Sequence, residues 1–247
     1  MIVIDIPQKS LDWIIERLWR LTASQAKNNI TAAGALSMSE AALSNIDRMI
    51  AGHDAAREMI QNPAQFDDMD DWQIQQWIGH FTGQKFTGNM HTKRGNDFEP
   101  DAIAALADVV GAGISDVGMC VMGDKRNGVV SCSPDGLIYS GGKLAGGAEV
   151  KCPTLSTFYG WIASGDLPAE HKLQVHVSMA VCQVDTWHFG AYFRGKPLYH
   201  VPVARDAFTD RIEKSLHEFH DLYAERYEKV TTALAKLKTP TTEDLLL

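Results

Sequence analysis

The stretch Ser131-Cys132-Ser133-Pro134-Asp135-Gly136-Leu137 decides how this chain is read, together with Ala148-Glu149-Val150-Lys151-Cys152-Pro153 beyond the glycine-rich run 141–147. Along a strand successive side chains point to opposite faces, so Glu149 and Lys151 share one face about 6.6 Å apart while Val150 turns into packing. If the preceding strand pairs antiparallel with this one, Asp135 approaches the same face. Two carboxylates then share a divalent cation through hard oxygen ligands, with the Val150 carbonyl as a third. That constellation suits phosphodiester hydrolysis, because bound Mg²⁺ lowers the pKa of its water and a second ion about 3.5–4 Å away stabilises the leaving oxygen. Lys151 either orients or deprotonates the attacking water or neutralises developing phosphorane charge, and the sequence leaves these roles open. From spacing alone, a Pro-Asp-Gly turn followed by a solvated Glu-x-Lys pair is the more ordinary reading. Pro153 ends the strand, as expected where a sheet edge opens into a cleft.

Working outward, the residues before the motif read as helical up to about 112, apart from an opening strand Ile2–Ile6. Thr22 to Ser24 offers hydroxyls suited to capping the next helix. The acidic cluster Asp67, Asp68, Asp70 and Asp71 reads as a helix start complementing the macrodipole rather than as a calcium loop. From about Asp97 a helix runs to Val110, and Glu99 lies on one stripe with Ile103, Leu106 and Val110, which points it inward. Placement at the helix N-terminus would explain Glu99 equally well. Strands follow near 117–121, 129–133 and 148–151, helices at about 154–164 and 168–183, and strands at 187–193 and 198–203. The tail repeats Ile212, Leu216, Phe219, Tyr223, Tyr227, Val230, Leu234 and Leu237 at steps of three or four, a long amphipathic helix over about 205–238. Its stripe needs a cover, either this domain's sheet or another subunit. The order of elements predicts an α/β or α+β fold, one domain over 1–247 with a central mixed sheet flanked by helices.

Composition excludes several classes. The 247 residues are 45% hydrophobic and 22% charged, which suits a globular core rather than disorder. No run of 18 apolar residues is present, and the opening MIVIDIPQ meets Asp5 before a signal-type core forms, so no membrane partner and a cytosolic location are expected. Cys120, Cys132, Cys152 and Cys182 are separated by 12, 20 and 30 positions without a C-x-x-C pair, which argues for reduced, mostly buried thiols over a zinc or iron–sulfur site. A net charge of −8, from 23 basic and 31 acidic residues, argues against a protein that coats nucleic acid by net attraction. A local basic cluster remains open, and Arg94, Lys125, Arg126, Lys143, Lys151 and Lys172 lie in segments flanking the motif.

The block Cys132-Ser133-Pro134-Asp135-Gly136-Leu137 with Glu149-Val150-Lys151-Cys152-Pro153 resembles the S-P-D-G…E-[LV]-K-C-P signature of the bacteriophage lambda exonuclease family, the YqaJ-type viral recombinases within the PD-(D/E)XK nucleases. Arg17 with Leu21-Thr22-Ala23-Ser24 resembles the family's R…[IL]-T-A-S segment, and Gly95-Asn96-Asp97-Phe98-Glu99 its G-x-x-[YF]-E helix. Gln174 in Leu173-Gln174-Val175-His176 resembles the glutamine helix after the active-site strand. These matches run in order from about residue 13 to 205. The pattern departs at Ser178, where the wider group often has tyrosine four residues after the glutamine, and at His171, where some relatives place one. His171, Gln174 and Ser178 still form one polar stripe that could face a nucleic acid strand or solvent.

The resemblance implies a restriction-endonuclease-like core and a Mg²⁺-dependent 5′→3′ exonuclease, for which Mn²⁺ can substitute, with two ions per active site. Such an enzyme degrades one strand of linear duplex DNA to mononucleotides and leaves a 3′ tail for a single-strand annealing protein. It implies a homotrimeric ring around DNA. By resemblance Asp135, Glu149 and the Val150 carbonyl hold metal, Lys151 is the catalytic lysine, and Glu99 completes the acidic site. Gln174 positions water or the substrate strand, while Arg17, Ser24 and Ser133 line a 5′-phosphate pocket, a donor set suited to a dianion. The alternatives are a structure-selective endonuclease of the same superfamily and a DNA-end-binding module without turnover.

Overall fold

In the computed structural model the described residues are 1–83, 90–123 and 128–237, with 90–96 described by backbone alone. The strands are β1 Ile2–Ile4, β2 Leu21–Thr22, β3 Ile114–Ser115, β4 Met119–Val121, β5 Val130–Cys132, β6 Gly136–Ser140, β7 Lys143–Lys151, β8 Thr186–Ala191 and β9 Tyr199–Ala204. The α-helices are α1 Leu11–Arg17, α2 Glu40–Gln61, α3 Asp71–Thr82, α4 Met90–Val110, α5 Leu155–Ser164, α6 Ala169–Cys182 and α7 Ala207–Leu234. This is the mixed α/β architecture the pattern predicts, and none of the described helices is long and apolar enough to cross a membrane.

The strands divide into two sheets where a single one was expected. Five form the order β3-β6-β7-β8-β9, in which β7 and β8 run parallel and the other neighbours antiparallel. Four form the order β1-β4-β5-β2. The division falls at Ser133-Pro134-Asp135, between β5 and β6, because proline lacks the N–H that a continuing ladder would need. Leu21-Thr22 also departs from expectation: it forms β2, parallel to β5 with Thr22 opposite Ser131, and Thr22 makes no side-chain cap to the 3-10 helix that follows.

The glycine run is a hairpin in which only two glycines make the turn. Gly141 and Gly142, at φ 56° and 76°, form the two-residue connection between Ser140 and Lys143, as the strand twist favours. Gly146 and Gly147 lie inside β7, where a Cβ on Gly147 would sit 2.4 Å from the Trp187 ring. That absence of side chain lets the fully buried indole cross the face of β7.

The five-stranded sheet is covered on both faces. Ala102 and Leu106 of α4 pack against Ala148 and Val150, and Ile103 and Val110 of the expected stripe are partly buried beside them. The other face presents Trp187, Phe189 and Ala191 to the main core with Val175 and Met179 of α6. The helix carrying Glu99 begins at Met90 rather than near Asp97, and Pro100 lies inside it. Glu99 is therefore not a helix-start residue. Helix α7 is covered within the chain by α6, α2 and the loop before α2: Ser215 donates to the Gly34 carbonyl of that loop at 2.9 Å, and Arg226 grips Asp47 of α2 through both carboxylate oxygens. Its buried residues run from Phe208 to Tyr223, while Leu234 and Leu237 are exposed.

The Trp187 contact predicts a contrast between two glycines. Gly147→Ala overpacks the β7–β8 layer and is expected to cost about 1–3 kcal/mol, read as a lower Tm. Gly160→Ala, in α5 with open space around the new methyl, is expected to hold or raise Tm.

Candidate active site

The C-terminal end of β7 builds the site. Glu149 and Lys151 stand opposite Phe189 and Ala191 in the parallel ladder and share their face, toward α6, whereas Val150 packs toward α4. Strand β6 reaches only to the pair Gly136–Ala148. One residue earlier, the Asp135 N–H donates to the Ala148 carbonyl at 3.1 Å. The Val150 N–H in turn donates to Asp135 Oδ2 at 2.6 Å, so a side chain takes the place of the next backbone rung. A strand residue directs its N–H and C=O to the same edge, so the Val150 carbonyl faces the Asp135 side of β7.

Around this fastening the expected groups converge in part. The Lys151 ammonium touches Glu149 Oε1, and Gln174 Nε2 donates to that oxygen at 2.7 Å. Glu149 is 2% exposed, whereas the Lys151 side chain keeps 31% of its surface. Glu99 stands apart, paired at 3.3 Å with Lys9 Nζ. Among the described residues it joins no compact group of acidic side chains, although its charge acts on both Asp135 and Lys151. Two acids and one amine therefore form the tight centre, and the third acid is held at its margin by a lysine.

Burial and the neighbouring Glu149 push the Asp135 carboxyl up to about 8, against the opposing pull of Lys151 and the Val150 N–H. Burial disfavours the Lys151 charge, but Glu149 and Asp135 outweigh it and hold the amine above its usual range. His171 is driven down to about 4 by burial and then by the Lys151 charge. The residues fit a divalent cation: the donors at this end of β7 are hard oxygens, and added positive charge offsets the burial and the repulsion that keep Asp135 protonated.

The phosphate-binding expectation meets a mixed outcome. Arg17 Nη1 and Trp13 Nε1 both donate to Ser133 Oγ, at 3.2 and 3.0 Å, and the guanidinium stacks 4.1 Å from the Trp13 ring centre. Burial pulls Arg17 down to about 10. Ser24 is exposed and its hydroxyl pairs with Thr22 at 3.3 Å, so it is not joined to the Arg17–Ser133 contact. A cavity of about 660 Å³ opens beside Trp13, Arg17, Thr22, Gln25 and Arg48. Its lining includes neither Asp135 nor Glu149.

One surface reading is corrected. The stripe on α6 does not present a polar side outward: Ser178 is buried, His171 stacks on Phe189, and Gln174 bonds Glu149. Of the six basic residues flanking the motif, the side chains of Lys143, Lys151 and Lys172 are described. Lys143 begins β7, about 26 Å along the strand from Lys151, and Lys172 lies over the Phe208 ring. Lys125, Arg126 and the Arg94 side chain lie outside the described residues. Conversely, Gln8 and Lys9 drew no attention in the sequence. Gln8 Nε2 reaches the carbonyls of Val117 and Pro134, both at 2.8 Å, and so braces the loop that carries Asp135. Their only local signal is a polar pair between a short strand and the Ser10 helix cap.

The model of the YqaJ-like viral recombinase domain family matches residues 12–185. The fold is similar to the crystal structure of an alkaline exonuclease, LHK-Exo, from Laribacter hongkongensis, with a TM-score of 0.65 and 21% identity over 93% of this chain and 100% of that one. The structure of LHK-Exo in complex with dAMP matches to the same extent. A phage related exonuclease from Haemophilus somnus 129PT is similar at a TM-score of 0.45 and 16% identity, over 87% of this chain and 96% of that one. No curated protein matched.

The Asp135 environment predicts a pH signature without metal. A carboxyl whose folded pKa stands above its unfolded value of 3.8 favours the fold while protonated. That contribution is complete below about pH 4 and is lost as pH rises through about 8. In chelator, Asp135→Asn is expected to gain at least about 1 kcal/mol over the parent at pH 8, about 2–4 °C in Tm for a chain of this size, and little at pH 4. Parallel Tm–pH curves for the two proteins would contradict this electrostatic picture.

Proposed function

Because the chain belongs to the YqaJ-like viral recombinase domain family, we propose that it is a Mg²⁺-dependent 5′→3′ exonuclease. It degrades one strand of linear duplex DNA from an end, and the 1–247 span works as one nuclease domain. The observation that carries this reading is the fastening of Asp135 to the Val150 N–H beside the Glu149–Lys151–Gln174 group. Asp135, Glu149 and the Val150 carbonyl would hold the cation, with Glu99 adding charge from the margin. A divalent cation bound there supplies a nucleophile at neutral pH and charge stabilisation for in-line displacement.

The chain's own groups divide the remaining work. Lys151, in contact with Glu149, keeps its proton and its charge, so it orients the attacking water and stabilises the developing negative charge on phosphoryl oxygens. Gln174 fixes the Glu149 carboxylate through its amide and is a positioning residue. Arg17 and Ser133 receive the 5′-phosphate, a task suited to a half-buried guanidinium beside a hydroxyl, and Ser24 reaches the same phosphate from its exposed position. Its products are 5′-mononucleotides, the class to which the dAMP of the Laribacter hongkongensis structure belongs. The enzyme acts in the cytoplasm as a homotrimeric ring that passes the 3′ tail to a single-strand annealing protein. Ring closure around DNA explains how a chain of net charge −8 stays on a polyanion.

The test is linear duplex DNA labelled separately at its 5′ and 3′ termini, beside a closed circular duplex, with and without Mg²⁺. The expected result is Mg²⁺-dependent release of the 5′ label as mononucleotide and an intact circle. Asp135→Ala and Lys151→Ala are expected to lose about 100-fold or more in rate, and Arg17→Ala to lose preference for phosphorylated 5′ ends. A nicked circle would favour an endonuclease, DNA binding without release a non-catalytic end-binding module, and full Asp135→Ala activity would overturn the metal assignment.

A further inference from the structure

Three cysteines that lie far apart in sequence meet in the core, away from the carboxylates. Cys120 of β4 and Cys132 of β5 are direct partners in an antiparallel pair, so both point to one face of the small sheet. Cys182 ends α6, which lies against that face. The three are 0%, 1% and 3% exposed and are free thiols. Their sulfurs all lie within 4.8 Å of one another, with Cys132 Sγ and Cys182 Sγ 3.6 Å apart. They form the one cluster of three potential side-chain ligands for a metal among the described residues.

We propose that Cys120, Cys132 and Cys182 form a buried three-sulfur site for a soft, thiophilic cation, Cu⁺ being the ion that fits it best. Metal–sulfur bonds of about 2.3 Å place three sulfurs about 3.8–4.0 Å apart, within the spread these atoms already show. The donor chemistry selects among ions. Thiolates favour Cu⁺, Zn²⁺ and iron–sulfur clusters over Mg²⁺, so the site does not compete for the hard cation of the carboxylates. Structural Zn²⁺ takes four ligands, and iron–sulfur clusters take four cysteines, whereas this buried cluster offers three sulfurs. Cu⁺ accepts three. Binding transfers no electrons: each cysteine that coordinates as a thiolate releases its S–H proton to solvent.

The site joins β4, β5 and the C-terminal end of α6. The same helix carries Gln174, about 12 Å nearer its N-terminus, in contact with Glu149. An ion bound there holds the helix to the small sheet without touching the catalytic end of the large one.

The test uses the full chain, fully reduced, without oxygen and in excess Mg²⁺, with Cu⁺ supplied from a colorimetric chelator. The expected result is transfer of one Cu⁺ per chain, a higher Tm, and a loss of at least about 100-fold in affinity in Cys120→Ala and in Cys182→Ala. Cys152→Ser, outside the cluster, is expected to bind as the parent does. X-ray absorption of the one-to-one complex of the unaltered chain is independent of how the variants fold, and it is expected to show three sulfur neighbours. No transfer, equal uptake by Cys120→Ala and Cys182→Ala, or nitrogen and oxygen neighbours would overturn the proposal. So would a Cys132–Cys182 disulfide formed in place of binding.

Discussion

The hydrogen bond from the Val150 N–H to the Asp135 carboxylate is the constraint on which the site depends. A β-ladder normally satisfies such an N–H with a carbonyl of the next strand. Here the Pro134 carbonyl accepts from Gln8 Nε2 instead, and the Asp135 carboxylate takes the Val150 N–H. Asp135 is thereby fixed at the edge of β7 while Glu149 and Lys151 are fixed on its face. Gln8 braces the same loop from the N-terminal segment, and Gln174 braces Glu149 from α6. Asp135 and Glu149 are thus held by backbone and amide partners, which is what preorganisation requires, while Lys151 is held by Glu149.

The cost of the arrangement is electrostatic. Two carboxylates share a buried end of a strand, and burial together with Glu149 keeps the proton on Asp135 to about pH 8. The single ammonium of Lys151 offsets this in part. The geometry is thus built for more positive charge than the chain itself provides, and a hard divalent cation is the natural complement.

Much of this was legible in the sequence, for reasons that differ by element. The alternation around Glu149-Val150-Lys151 follows from the pleat, and the Ile103-Leu106-Val110 stripe from the helical repeat; both survive because burial enforces them. The division into two sheets was not legible, because β5 and β6 are separated by only three residues and propensity does not say which partner each strand takes. Gly146 and Gly147 looked like turn residues, since what crowds them, the Thr186 carbonyl and the Trp187 ring, lies forty residues away. Glu99 was expected to point inward with Ile103 and Leu106, but it stays partly exposed on Lys9, a partner ninety positions distant. The meeting of three cysteines was hidden for the same reason: their spacing carries no motif, and only the β4–β5 register and the end of α6 bring them together.

The central claim is that the end of β7 holds a hard divalent cation between Asp135, Glu149 and the Val150 carbonyl. Anomalous diffraction from crystals of the full chain soaked in Mn²⁺ tests it most directly. The account predicts a manganese peak bounded by those three groups, absent from Asp135→Asn crystals. A soaked crystal with no peak there, or with manganese only at other sites, would contradict it.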